Sequence, residues 1–103
     1  EMKVVSEEVF GPLAIIEKYE SFSDALKMVN DSRFGLQTGI FSNKIDVMKM
    51  ALDTLEVGGI IMNHAPGFRI DSMPYGGVKE SGLGREGVKY AMEEMTEPRL
   101  IVY

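Results

Sequence analysis

Five glycines crowd into Met73–Gly87, together with Pro74 and Tyr75. Glycine at that density costs backbone entropy and persists where φ is positive or where backbone must approach something closely. The segment is therefore predicted to be tightly turned peptide that presents side chains just ahead of a helix. In the loop before it lie Phe68 and Arg69. The planar fork of an arginine suits bidentate recognition of a carboxylate or phosphate. The competing role for Arg69 is an ordinary surface pair with Asp71. The single histidine, His64, is by residue type a candidate general base, but with no nucleophile near it in sequence it reads as a loop or pocket-wall residue. There is no cysteine, so no thiolate nucleophile, disulfide or thiolate metal site, and one histidine makes no zinc cluster. Gly82-Leu83-Gly84-Arg85-Glu86-Gly87 satisfies G-x-G-x-x-G literally. A dinucleotide fingerprint also needs a strand directly before it and an acid on a second strand about 20 residues on. Val78–Ser81 is polar and the sequence stops too soon, so the run reads as a turn feeding a helix N-terminus.

The elements that must position these residues follow from hydrophobic periodicity. Leu13–Tyr19 begins with an unbroken apolar run after Gly11-Pro12 and predicts a strand covered on both faces. Ser21–Asp24 offers a helix cap, and Phe22, Ala25, Leu26 and Val29 repeat at i, i+3, i+4 and i+7. Thr38–Ser42 predicts a second strand, Asn43 a cap, and Ile45, Met48, Leu52 and Leu55 the inward stripe of a second helix. Gly59–Asn63 predicts a third strand. The expected fold class is α/β: an open parallel sheet from two βαβ units, with strands near 13–19, 38–42 and 59–63. A further helix is expected near 85–95, and a separate C-terminal edge strand after Pro98, which cannot donate a ladder hydrogen bond. Ligands of open α/β sheets bind at the carboxyl ends of strands, which here is the loop from Asn63 to Tyr75.

Pro74-Tyr75-Gly76-Gly77-Val78-Lys79-Glu80-Ser81-Gly82-Leu83-Gly84-Arg85-Glu86 closely resembles the signature near the C-terminus of the aldehyde dehydrogenase superfamily. Glu7-Glu8-Val9-Phe10-Gly11-Pro12 is similar to that family's Glu-x-Phe-Gly-Pro cofactor motif, and the tail Thr96–Leu100 is similar as well. The resemblance covers nearly the whole chain. It implies a C-terminal piece of an enzyme that oxidises an aldehyde through a thiohemiacetal and a thioester, with NAD or NADP as cofactor. It further implies that Glu8 holds the cofactor ribose and Phe10 its nicotinamide end, and that Tyr75, with Phe68 and Arg69 in the variable loop, lines the aldehyde pocket. No catalytic residue is assigned, because the family's cysteine nucleophile is absent. Residues 1–96 would belong to the catalytic domain and 97–103 to an oligomerisation strand shared between subunits, making a homo-oligomer. The rival expectation is a free-standing, non-catalytic association module of the same descent.

Composition narrows the partners. The net charge of −5 is spread without a basic block, which speaks against nucleic acid and anionic membranes. No apolar run approaches the roughly 18 residues of a membrane span, and a cytoplasmic location is expected. Lacking a thiol or another nucleophile with an adjacent base, the isolated chain is predicted to oxidise no aldehyde. The check is NAD(P)H formation with repurified chain, and a rate proportional to chain concentration would contradict the prediction.

Overall fold

A computed structural model describes residues 2–103. After a single turn of helix α1 (Lys3–Ser6), the chain runs without regular structure to α2 (Phe22–Asn30). Two short strands follow, β1 (Phe34–Gly35) and β2 (Gln37–Ile40), then α3 (Ile45–Thr54), β3 (Gly59–Met62), β4 (Val78–Lys79) and α4 (Val88–Glu94). β2 and β3 pair in parallel, Gln37 opposite Gly59 and Ile40 opposite Met62, with α3 as the crossover. β1 and β4 form a separate antiparallel pair, Phe34 opposite Lys79 and Gly35 opposite Val78.

The α/β open-sheet class stands, with one parallel pair at its centre. Residues 13–19 are not a strand: they join no ladder, and Leu13 and Ile16 are exposed. A parallel strand exists only where a neighbour supplies its hydrogen-bond partners, and 13–19 takes neither edge of β2–β3. The tail likewise forms no strand, and Leu100–Tyr103 are exposed. The expected helix near 85–95 is α4.

α2 forms as its sequence dictates. The Ser21 hydroxyl accepts from the Asp24 backbone N–H at 3.2 Å and donates to the Asp24 carboxylate at 2.5 Å. That bond, then Lys27, holds the Asp24 carboxyl below its ordinary value. α3 is capped at Lys44 rather than Asn43, the Ser42 hydroxyl accepting from the Lys44 N–H at 3.1 Å. Of its expected inward stripe, Leu55 packs on the core and Met48 is half-buried, but the other two positions differ. Val47, Ala51 and Leu55 pack inward, while Ile45 and Leu52 are exposed. The helix is apolar on two sides, and the small Ala51 side chain lets α3 sit closest to the sheet and α2. Leu26, Ile40 and Ala51 form the buried core, with Phe22, Ile60 and Met62 around it.

That core is small for the chain. The accessible surface is 8685 Å², against about 5,800 Å² for a closed monomer of this mass. The radius of gyration is 16.9 Å, against about 13 Å for a compact domain of 100 residues. Exposed apolar side chains lie both in the stretches without regular structure at the two ends, as at Ile16 and Leu100, and on the helices, as at Ile45 and Leu52.

Candidate functional site

The glycine-rich signature is first of all a clamp on the core. Gly58 ends the α3–β3 turn, and a methyl group there would stand 1.7 Å from the Gly76 carbonyl oxygen. A Cβ on Gly77 would meet the Ser81 Cβ at 2.4 Å. Backbone crosses backbone at these points, so glycine is required for close approach. The Ser81 hydroxyl accepts from the Gly35 N–H at 2.9 Å. Lys79 adopts φ 55° and sends its ammonium to the carbonyls of Asn30 (2.6 Å) and Ser32 (3.1 Å) and to the Glu56 carboxylate (3.2 Å). A cation on the last carbonyls of α2 also complements that helix's dipole. Asn30 continues the link: its side chain donates to the Thr54 carbonyl at 2.7 Å and accepts from the Glu56 N–H at 2.9 Å. One signature lysine thus holds the ends of α2 and α3 together.

Beyond the clamp the signature folds back on itself. Arg85 donates to the carbonyls of Gly77 (3.0 Å) and Gly84 (2.7 Å), and its N–H reaches the Glu94 carboxylate on α4 at 2.8 Å. Tyr75 and Glu86 exchange two backbone hydrogen bonds, of 3.1 and 2.6 Å, as an isolated antiparallel bridge. This bridge fixes the Tyr75 ring and the Glu86 carboxylate side by side. The Arg69 guanidinium lies over the Tyr75 ring, 4.2 Å from its centroid, and donates to Glu86 at 2.9 Å. The partner is therefore Glu86, not the nearer Asp71. Arg69 is 42 % and Glu86 67 % exposed, so the pair contributes only about 0.2–1 kcal/mol. An anion with better geometry can displace the Glu86 carboxylate, while the ring still holds the cation in place.

The other sequence-predicted residues are spread around this cluster. Phe68 packs edge-on against His64, centroids 5.0 Å apart. Glu8 is exposed at a cleft of about 370 Å³ that it lines with Phe34, Leu36 and Ser81. Tyr75 lines a second cleft, of about 470 Å³, which shares Leu36 and Ser81 with the first. Phe10 is 97 % exposed, at the apex of a tight turn closed by the Gly11 N–H to the Val9 carbonyl at 2.8 Å. The chain thus brings Arg69 and Tyr75 together and leaves Glu8 and Phe10 apart from them. Glu86 and Lys79 were missed as working residues, although both lie inside the quoted signature. Their partners are 17 and 49 residues away in sequence, and no local pattern encodes those distances. Among the described residues, no group of three metal-binding side chains converges, and no helix is long and apolar enough to cross a membrane.

An α/β unit whose glycine signature clamps two helix ends and supports an aromatic–cation pair belongs to a known class. The family model described as "Aldehyde dehydrogenase family" matches residues 1–101. This chain belongs to that family. It is 52 % identical over 102 residues to a 3-sulfolactaldehyde dehydrogenase of Priestia aryabhattai, covering 99 % of this chain and 21 % of the relative. It is 50 % identical over 95 residues to a lactaldehyde dehydrogenase of Methanococcus maripaludis (strain C5), covering 92 % of this chain and 20 % of that one. Aldehyde dehydrogenase 21 of Physcomitrella patens, solved in complex with its reaction product succinate, superposes with a TM-score of 0.89 at 47 % identity. That match covers 92 % of this chain and 20 % of the solved one. The chain spans about a fifth of the length of these relatives.

The clamp has a measurable consequence. Lys79→Met keeps the aliphatic stem but leaves the Asn30 and Ser32 carbonyls without their cation, and is expected to destabilise the protein by about 1.5–3 kcal/mol. Glu80→Ala, which removes only the exposed pair with Arg33 at 3.3 Å, should cost at most about 1 kcal/mol. Denaturant titration of both variants checks the difference, and equal losses would contradict the assignment.

Proposed function

We propose that this chain forms one wall of the active site in an NAD- or NADP-dependent aldehyde dehydrogenase that oxidises a small aldehyde bearing an anionic group to the carboxylic acid. The observation that carries this reading is the Arg69 guanidinium seated on Tyr75 and tethered to Glu86. It is a fixed cation at the loop after β3, where an open α/β sheet binds ligands. The relatives lend support by their names and contents: one acts on a sulfonate-bearing aldehyde, and the solved structure contains the dicarboxylate succinate. The Methanococcus relative is named for lactaldehyde, which carries no anion, so the charge preference rests on Arg69 itself.

The chain's own residues recognise and orient rather than break bonds. Arg69 takes the anionic end of the substrate, Tyr75 holds the guanidinium plane and Phe68 supplies an apolar surface in the same loop. The nucleophilic thiol comes from outside these 103 residues, which include no cysteine. On the cofactor side the donor chemistry fits. Glu8 offers carboxylate oxygens that accept from ribose hydroxyls, and Phe10 exposes a ring for the nicotinamide end. The cofactor, when bound, supplies the oxidant. The exposed tail Leu100–Tyr103 would pair with another subunit, since an unpaired apolar edge recruits a partner, and the protein would work as a homo-oligomer.

Arg69→Ala in the enzyme containing this chain is expected to lower kcat/KM for succinic semialdehyde by about 10- to 150-fold, the loss of a charged hydrogen bond worth about 1.5–3 kcal/mol. The effect on neutral butanal should be much smaller. Equal losses on the two substrates would mean that Arg69 is structural.

A further inference from the structure

We propose that Gln37 is a specificity-determining positioning residue: from the first position of β2, its side-chain amide sets the peptide that carries Arg69. The inference rests on the reading of Arg69 as the anion-binding group. Gln37 Nε2 donates to two carbonyls of the substrate loop, that of Pro66 and, at 3.3 Å, that of Phe68. The Phe68 carbonyl belongs to the same peptide plane as the Arg69 N–H, so a bond to it fixes the direction in which the Arg69 side chain departs.

The sheet is shaped to permit this contact. Gly59 stands opposite Gln37 in the parallel register, and a Cβ there would come within 2.8 Å of Gln37 Oε1. Glycine at 59 leaves room for the amide to present its NH₂ group to the loop. Two residues along β2, on the same face of the strand, a Cβ on Gly39 would stand 2.6 Å from the His64 carbonyl and 3.0 Å from the Pro66 Cδ. The loop therefore rests directly on β2, with bare backbone at 39 as its seat and the amide at 37 as its tether. Residues 63–70 are otherwise exposed. Asn63 is held at the start of the loop, its N–H donating to the Ile40 carbonyl at 2.7 Å and its side chain accepting from the Ser42 N–H at 2.9 Å; past it, among the described residues, the loop's own backbone closure is the Phe68 N–H to the Ala65 carbonyl at 3.2 Å. A loop so lightly bonded depends on its tether. Loss of the tether frees the 68–69 peptide and disperses the guanidinium over orientations that Tyr75 and Glu86 alone do not restrict.

The test uses the enzyme containing this chain, with succinic semialdehyde and butanal as matched anionic and neutral substrates. Gln37→Met keeps the volume and removes both donors. Gln37→Glu keeps the shape and turns carboxylate oxygens towards the two carbonyls. For either variant the ratio of kcat/KM, anionic over neutral, should fall about tenfold, through the KM of the anionic substrate, with the KM of the cofactor unchanged. In an Arg69→Ala background neither variant should lower the ratio further, because groups that act through one another are not additive. If Gln37→Met does not fold, Gln37→Glu decides on the same ratio. A ratio unchanged in the Gln37 variants while Arg69→Ala collapses it would overturn the role of Gln37 and leave the anion reading standing. A fall on both substrates alike would reduce Gln37 to a structural residue and also overturn the proposal. A ratio that Arg69→Ala does not move would overturn the anion reading and this inference with it.

Discussion

The passage of the Gly76 carbonyl across Gly58 is the constraint on which the rest of the molecule depends. With 1.7 Å between that oxygen and the place a Cβ would occupy, the signature can lie against the α3–β3 turn only as bare backbone. Once it lies there, Val78 and Lys79 come beside Phe34 and Gly35 to form the antiparallel pair, and the Lys79 ammonium reaches the end of α2. The turn that follows returns the chain so that Glu86 pairs with Tyr75. The aromatic–cation pair proposed to meet the substrate thus stands at the end of a series of backbone contacts.

On the proposed reading, this arrangement separates recognition from bond-breaking. The polar groups of the clamp bond to backbone: the Lys79 ammonium and the Arg85 guanidinium donate to carbonyls, and the Ser81 hydroxyl accepts from the Gly35 N–H. The side chain held at a surface and only weakly paired is Arg69, whose bond to Glu86 contributes little. Such a pair suits a binding site. It orients the cation over the Tyr75 ring, and under the proposal it gives way to an anion with a better fit. The large exposed apolar surface agrees with a chain whose outer faces work against other protein, since α3 presents Ile45 and Leu52 outward while its other side fills the core.

What the sequence made legible was what is encoded locally. The Ser21 cap and the Phe22–Val29 stripe lie within a few residues of each other, and α2 formed accordingly. The parallel pairing of β2 with β3 followed from two apolar runs separated by a helix. Residues 13–19 read as a strand because their composition suits one, but a ladder depends on neighbours that periodicity does not report. The inward face of α3 was misassigned for a related reason: both its stripes are apolar, and only the packing of Ala51 selects between them. Arg69 was recognised as a candidate, yet its partner proved to be Glu86 across a backbone bridge rather than Asp71 two residues on. The signature glycines announced close approach without saying to what.

The position of a bound anion tests the proposed role of Arg69 most directly. A crystal structure of the enzyme containing this chain, with succinate bound, should show one carboxylate within about 2.7–2.9 Å of the Arg69 guanidinium. Arg69 should still lie over the Tyr75 ring, and the Phe68 carbonyl should still be bonded to Gln37. A succinate held entirely by other residues, with Arg69 turned away and paired to Glu86 as before, would contradict it.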